Sequence, residues 1–180
     1  YLGSHTMTEP NPLSEGFEGG VIPENWNIIN NDGNEHSWKA APSSLWAHTG
    51  DYLAKVYYNE FGSDDWLITP RLDVVSGDSI VFWARSSHLS DFEDFNVKIS
   101  TTTNDNIAAF TGTIASVDST SNIWTRYAYA LDTYTSQEVY VAVQCVTVDG
   151  FYLYVDDFSG PQVWIEDSPV FAVSKNTIDF

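Results

Sequence analysis

The sequence predicts an all-β fold, a two-sheet antiparallel jelly-roll β-sandwich, and three observations predict it. Apolar residues alternate with period two in nearly every patterned stretch. No stretch repeats them at helical spacing over three turns. Turn signals such as Ser76-Gly77-Asp78, Thr103-Asn104-Asp105 and Val148-Asp149-Gly150 cut the chain into short segments. So many short strands favour two packed sheets, with a closed barrel as the alternative. The 180 residues suit one domain, and 43% apolar with 15% aromatic content excludes a disordered chain.

The expected strands follow in order: GFEGG at 16–20, NWNIIN at 25–30, YLAKVYY at 52–58 and DWLITPRLD at 65–73. They continue with SIVFWARSS at 79–87, FNVKISTT at 95–102, WTRYAYAL at 124–131, EVYVAVQCVTV at 138–148 and FYLYVDDFSG at 151–160. Alternation places Val139, Val141, Val143 and Cys145 on one face, taken as core, with Tyr140, Ala142, Gln144 and Val146 on the other. A short helix is expected near 104–110, capped by Asp105 or Asn106. Trp66 and Trp83, inside apolar strands, are assigned to the interior. The start YLGSHTM reads as a vector scar ahead of Met7, so 1–13 is taken as scar and leader and 14–162 as the jelly roll. After Pro161 the texture changes, and 163–180 reads as a linker with the start of a following domain or an extra strand.

Seven Lys and Arg against 25 Asp and Glu give a net charge of −18, which argues against nucleic acid and anionic membrane surfaces as partners. Nor does any run reach the length of a membrane-spanning helix. Cys145 is the single cysteine, so no intrachain disulfide exists, and its apolar run makes it a buried thiol.

Two groups of oxygen-bearing side chains are candidate cation ligands. In NNDGNEHSW, residues 30–38, Asn30, Asp32 and Asn34 occupy alternate positions around Gly33, a spacing that can converge on a hard cation or simply make a turn. Asp156 and Asp157 are adjacent in a strand, so their side chains point to opposite faces. A carboxylate turned inward needs a partner, and the chain has few Lys or Arg to supply one. Trp38, Trp46, Tyr57, Tyr58 and Tyr127 are candidate platforms for a sugar ring or a protein partner. Catalytic signals are weak. Gly-x-Ser-x-Gly and His-x-x-x-His are absent, and Ser86, Ser87 and His88 with Asp91 are the sole grouping to check.

The blocks GFEGGVIPENWNIINNDGNEHSW, DDWLITPRL, VFWAR, VKISTT and VYVAVQCVTVDGFYLYVDDFSG occur in an order that resembles the cleaved-adhesin, or choice-of-anchor J, domain family over about residues 16–160. The chain is similar, more broadly, to MAM domains and jelly-roll carbohydrate-binding modules. This resemblance implies a non-catalytic module of a secreted or cell-surface bacterial protein, binding an extracellular protein or glycan, with calcium as cofactor. It implies a calcium loop at Asn30, Asp32 and Asn34, where two of the expected Asp are Asn, which weakens binding. It also implies a second cation position at Glu18, Asp156 and Asp157. Trp38, Trp46, Tyr57 and Tyr58 are carried forward as ligand-contacting residues. The competing expectation is a structural accessory domain of an extracellular hydrolase such as a peptidase.

Overall fold

The computed structural model describes residues 10–164. Among these residues twelve strands form: β1 (Pro12–Glu15), β2 (Asn27–Asn30), β3 (Lys39–Pro42), β4 (Tyr52–Tyr57), β5 (Asp65–Ile68), β6 (Leu72–Asp73), β7 (Ser79–Ser86), β8 (Glu93–Ser100), β9 (Gly112–Thr120), β10 (Thr125–Ala130), β11 (Glu138–Cys145) and β12 (Tyr152–Val163). Two 3-10 turns, Ile107–Ala109 and Asp132–Tyr134, complete the set. All pairings are antiparallel. The front sheet runs β3-β4-β12-β7-β10, with β1 continuing alongside β12 past the end of β4. The back sheet runs β2-β5-β11-β8-β9. Strand β6 joins the two: Leu72 pairs with both Val139 of β11 and Val163 of β12. This is the two-layered jelly-roll sandwich that the alternation predicts.

Period-two patterning builds the core directly. In β7, Ile80, Phe82 and Ala84 are buried between the sheets while Val81, Trp83 and Arg85 face out. They meet Val139, Val141, Val143 and Cys145 of β11, all within 1% of full burial, as the sequence assigns them. Phe82 stacks on Phe158 and meets Phe95 edge-on, tying the sheets with aromatic contacts. All four residues of β5 are buried, because the 3-10 turn carrying Phe110 folds over its outer face. Trp66, Ile68, Ala142 and Phe110 form this second, smaller core. Asn106 caps the turn, its side chain accepting from the Ala108 amide as expected.

Several expectations are corrected. GFEGG is a turn, with Phe17 buried at φ +61°, and the strand lies just before it. The boundary at residue 14 falls inside β1, whose Leu13 is core. DWLITPRLD breaks around Pro70 into β5 and β6, since proline donates no ladder hydrogen bond. Strands β3 and β9 were not anticipated: KAAP and GTIASVDST carry little large apolar alternation. Trp83 is not interior but stacks under His48 on the outer face, ring centroids 3.9 Å apart. Tyr127 faces the other way, packed on Phe82 and Phe95. Val163 closes β12, and the reading of the remaining tail lies outside the described residues beyond Trp164.

Candidate cation sites and an aromatic face

Three segments that are far apart in sequence meet at one end of the front sheet. A bulge in β12 between Asp156 and Ser159, with Asp157 at φ +48°, sends the two neighbouring carboxylates into the same region instead of to opposite faces. Asp156 is fully buried; one oxygen accepts from the His48 amide at 2.8 Å and the other from the Asp157 amide at 2.8 Å. Asp157 accepts from the Thr49 hydroxyl at 2.7 Å and contacts His48 Nδ1 at 2.5 Å. Glu18 receives the amides of Asp51 and Tyr52 at 3.0–3.2 Å. Gly16 leaves space for the pair, since a Cβ there would sit 3.2 Å from Asp157 Oδ1. A Cβ at Gly50 would lie within 3.0 Å of both Glu18 carboxylate oxygens. Burial, followed by repulsion from Asp157, outweighs the three amide hydrogen bonds and pushes the Asp156 carboxyl up to about 7. Glu15, beside Glu18, is also raised, chiefly by burial.

The 30–38 loop has the hydrogen bonds of a turn, one of the two forms its spacing allows, where the family resemblance implies a calcium loop. Asn30 Oδ1 accepts from the Gly33 amide, Asp32 Oδ1 from Asn34 and Asn34 Oδ1 from His36, a ladder of side-chain-to-backbone turns. Asn30 Nδ2 donates to the carbonyls of Asn34 and His36, so this amide closes the loop and does not converge on a common point with Asp32 and Asn34. Asp32 Oδ2 anchors the loop to the Asp64 amide at 3.1 Å. Beneath it lies a residue that the sequence reading missed. Asp65 is fully buried and neither carboxylate oxygen has a hydrogen-bond partner. Burial first, then Asp32 and Asp64, push its carboxyl up to about 7. Its signal was present: Asp65 shares the inward phase of β5 with Leu67. Trp38 is buried in the same place and donates from Nε1 to the Asp65 carbonyl at 3.1 Å, so it is a core residue and not a binding platform.

Both places offer hard carboxylate oxygens that, among the described residues, no Lys or Arg pairs with, which is the donor chemistry of calcium. In the structure most of these oxygens are turned onto backbone amides, and among the described residues no three His, Cys, Asp or Glu side chains converge as a ligand set. The orphaned Asp65 carboxylate is the observation that best fits a cation. A third buried acid, Glu93, holds the Phe151 amide with one oxygen and leaves the other unpartnered, and burial raises its carboxyl.

Of the remaining aromatic candidates, Trp46 is 47% exposed and Tyr57 and Tyr58 are half-buried around a cavity of about 610 Å³ that also includes His36 and Phe61. The Ser-His-Asp grouping does not assemble. Ser86 is fully buried and donates to the Asp91 carbonyl, away from any histidine. Ser90 Oγ and Asp91 both contact the same nitrogen, Nδ1 of His88, whereas a relay needs both ring nitrogens. Cys145 is fully buried, its thiol pushed up to about 12 by burial.

Comparison with known proteins adds the following. The family model described as the Cleaved Adhesin Domain matches residues 11–159. Gingipain R1 and Lys-gingipain of Porphyromonas gingivalis are each 36% identical over 105 residues, covering 52% of this chain and 6% of those proteins. Hemagglutinin A of Porphyromonas gingivalis is 26% identical over 175 residues, covering 81% of this chain and 8% of that protein. The chain therefore spans less than a tenth of the length of these curated relatives. Among solved structures, the K1 cleaved adhesin domain of Lys-gingipain from Porphyromonas gingivalis W83 superposes with a TM-score of 0.70 at 22% identity, covering 84% of this chain and 98% of that one. TmCBM61 in complex with β-1,4-galactotriose superposes at 0.60 with 17% identity, covering 82% and 94%. At these identities the superpositions establish the shared β-sandwich fold.

Proposed function

Because this chain belongs to the Cleaved Adhesin Domain family, we propose that it acts as a non-catalytic adhesion and recognition module of a secreted or cell-surface bacterial protein, stabilised by calcium and binding an extracellular protein or glycan. The observation that carries this reading is the family match itself, which runs from the position before β1 into β12 as far as Ser159. The relatives, a hemagglutinin and a gingipain that carries a cleaved adhesin domain, both from one bacterium, support the adhesion role. On this reading Glu18, Asp156 and Asp157 hold one ion and Asp32 with Asp65 a second. Bound calcium supplies positive charge that relieves carboxylate repulsion and desolvation. The residues do the rest: Asp156 ties the His48 amide to β12, Glu18 ties the Asp51 and Tyr52 amides to the 16–20 turn, and Asp32 holds the 30–38 loop to the Asp64 amide just ahead of β5. Loops ordered beforehand lose less entropy on binding a partner.

The test is to probe the immobilised, folded chain with a glycan array and with a panel of extracellular-matrix proteins. Saturable binding to either class supports recognition. Silence from both overturns it and leaves the second reading, a structural spacer within a larger hydrolase such as a peptidase. That alternative is favoured by the small share of its relatives' length that the chain spans.

A further inference from the structure

We propose that the outer face of the front sheet, centred on Lys39, Lys55, Arg85, Tyr57, Tyr152 and Tyr154, binds an acidic oligosaccharide, one carrying carboxylate or sulfate groups. The proposal deepens the recognition reading above and rests on it.

The sheet register makes the case. Lys39 of β3 lies opposite Lys55 of β4, Lys55 opposite Tyr154 of β12, and Tyr154 opposite Arg85 of β7. Directly opposed residues share a face, so these four form a single cross-strand row. In the adjoining row Tyr57 of β4 lies opposite Tyr152 of β12. The chain has only seven Lys and Arg against 25 Asp and Glu, and three of the seven stand in this row. Like charges directly opposed across a ladder repel. Among the described residues none of the three forms an ion pair with an acid, whereas Arg71 pairs with Glu138. A sequence this rich in carboxylates that sets two lysines side by side without one has kept the position open for an outside anion. Glu35, at the rim of the adjoining cavity of about 310 Å³, is the acid that lines it with Lys39 and Tyr57.

The rings define what carries the anion. Tyr152 and Tyr154 stack at 6.0 Å with planes 23° apart, and Tyr57 meets Tyr152 at 4.9 Å. Lys55 Nζ sits 4.6 Å over the Tyr152 ring, and the Arg85 guanidinium 4.9 Å over exposed Trp46. Half-exposed ring faces interleaved with cations match a pyranose ring that stacks on tyrosine while its carboxylate or sulfate meets lysine or arginine. A nucleic acid would also stack and carry anions, but its dense backbone charge would be repelled by a chain whose net charge is −18. A short glycan with spaced charges engages the row locally. Lys55 itself supports an unneutralised site: burial and then neighbouring Lys39 lower its pKa.

The test measures binding of heparin-derived oligosaccharides (sulfate) and oligogalacturonides (carboxylate) to the 180-residue chain, against neutral galacto- and xylo-oligosaccharides and a single-stranded oligonucleotide. Binding to at least one acidic probe is expected, weakening as NaCl rises, and the probe that binds identifies the anion. Lys55→Gln and Arg85→Gln should each weaken it about tenfold while melting as the parent does. Tyr152→Phe should retain binding, with the ring face preserved. Equal binding of neutral and acidic probes, tighter binding of the oligonucleotide, or binding indifferent to both charge substitutions overturns the inference and leaves general recognition standing. Absence of any glycan or protein ligand overturns both.

Discussion

Asp65 sets a measurable pH dependence in the metal-free protein. Its folded carboxyl titrates at about 7 against an ordinary 3.8, and each unit corresponds to about 1.4 kcal/mol. Above pH 7 the ionised side chain therefore destabilises the folded state by about 4 kcal/mol. A raised acid binds its proton in the folded chain while the unfolded chain has already lost it. Stability consequently falls as pH rises from about 4 to about 7, and about 3 kcal/mol of the loss comes between pH 5 and pH 8. For a domain of this size that is a fall in Tm of roughly 6–12 °C. Asp156, raised to about 7 and equally buried, adds a similar slope. Asp65→Asn removes one of the two. In chelator at pH 8 it relieves about 4 kcal/mol of charge burial and leaves an amide unpartnered at about 1–3 kcal/mol, a net gain of about 1–3 kcal/mol. Near pH 4, where the parent's side chain is neutral, the gain disappears. Urea unfolding of parent and variant in EDTA at pH 4, 6 and 8 measures this directly. A variant no more stable than the parent at pH 8, or a difference constant with pH, would show that Asp65 is not a buried, uncompensated charge.

Calcium should act where these charges are present: chelation lowers the Tm at pH 8, restoring calcium recovers it, and the effect shrinks at pH 5. An unchanged melting curve together with no metal by elemental analysis removes the ion. Gly50→Ala should cost about 2 kcal/mol in chemical denaturation, because Gly50 sits at φ +65° and the added methyl displaces Glu18 from the Asp51 and Tyr52 amides. A cost below about 0.5 kcal/mol would mean that Glu18 does not pin that segment. Native Cys145, fully buried with its thiol raised to about 12, should resist a thiol reagent at pH 8 and react on unfolding. Fast labelling of the folded chain refutes that burial.

The long alternating runs made most of the fold legible. β7, β8, β11 and β12 each carry enough apolar residues at every second position to declare a strand and its inner phase. β3 and β9 escaped because Ala, Ser and Thr give that pattern too little contrast, and their pairing with β4 and β8 supplies what their side chains do not. Trp83 shows the limit of reading hydrophobicity without phase: it alternates with Ile80, Phe82 and Ala84, so it had to face outward. Asp156 and Asp157 stood out because adjacent acids in a strand demand an explanation, whereas Glu18 came only from the family resemblance. That the bulge after Asp156 gathers both carboxylates could not be read from the residues alone. Asp65 was legible in its phase with Leu67, but the pairing of Asn30 with Asp65 that lays the loop over it is a contact between distant segments. The Lys39–Lys55–Tyr154–Arg85 row likewise exists only once the register of four strands is known.

Strand β12 bears on how the molecule comes into being. It pairs with β1, β4, β6 and β7, yet among the described residues it is the last strand to be synthesised. Until residues 152–163 emerge, β4 and β7 have no strand between them, β1 has no partner and the corner at β6 is open. Closure of the front sheet therefore waits for residues 152–163. Residues 152–163 act as a latch that turns separate strands into a closed sheet.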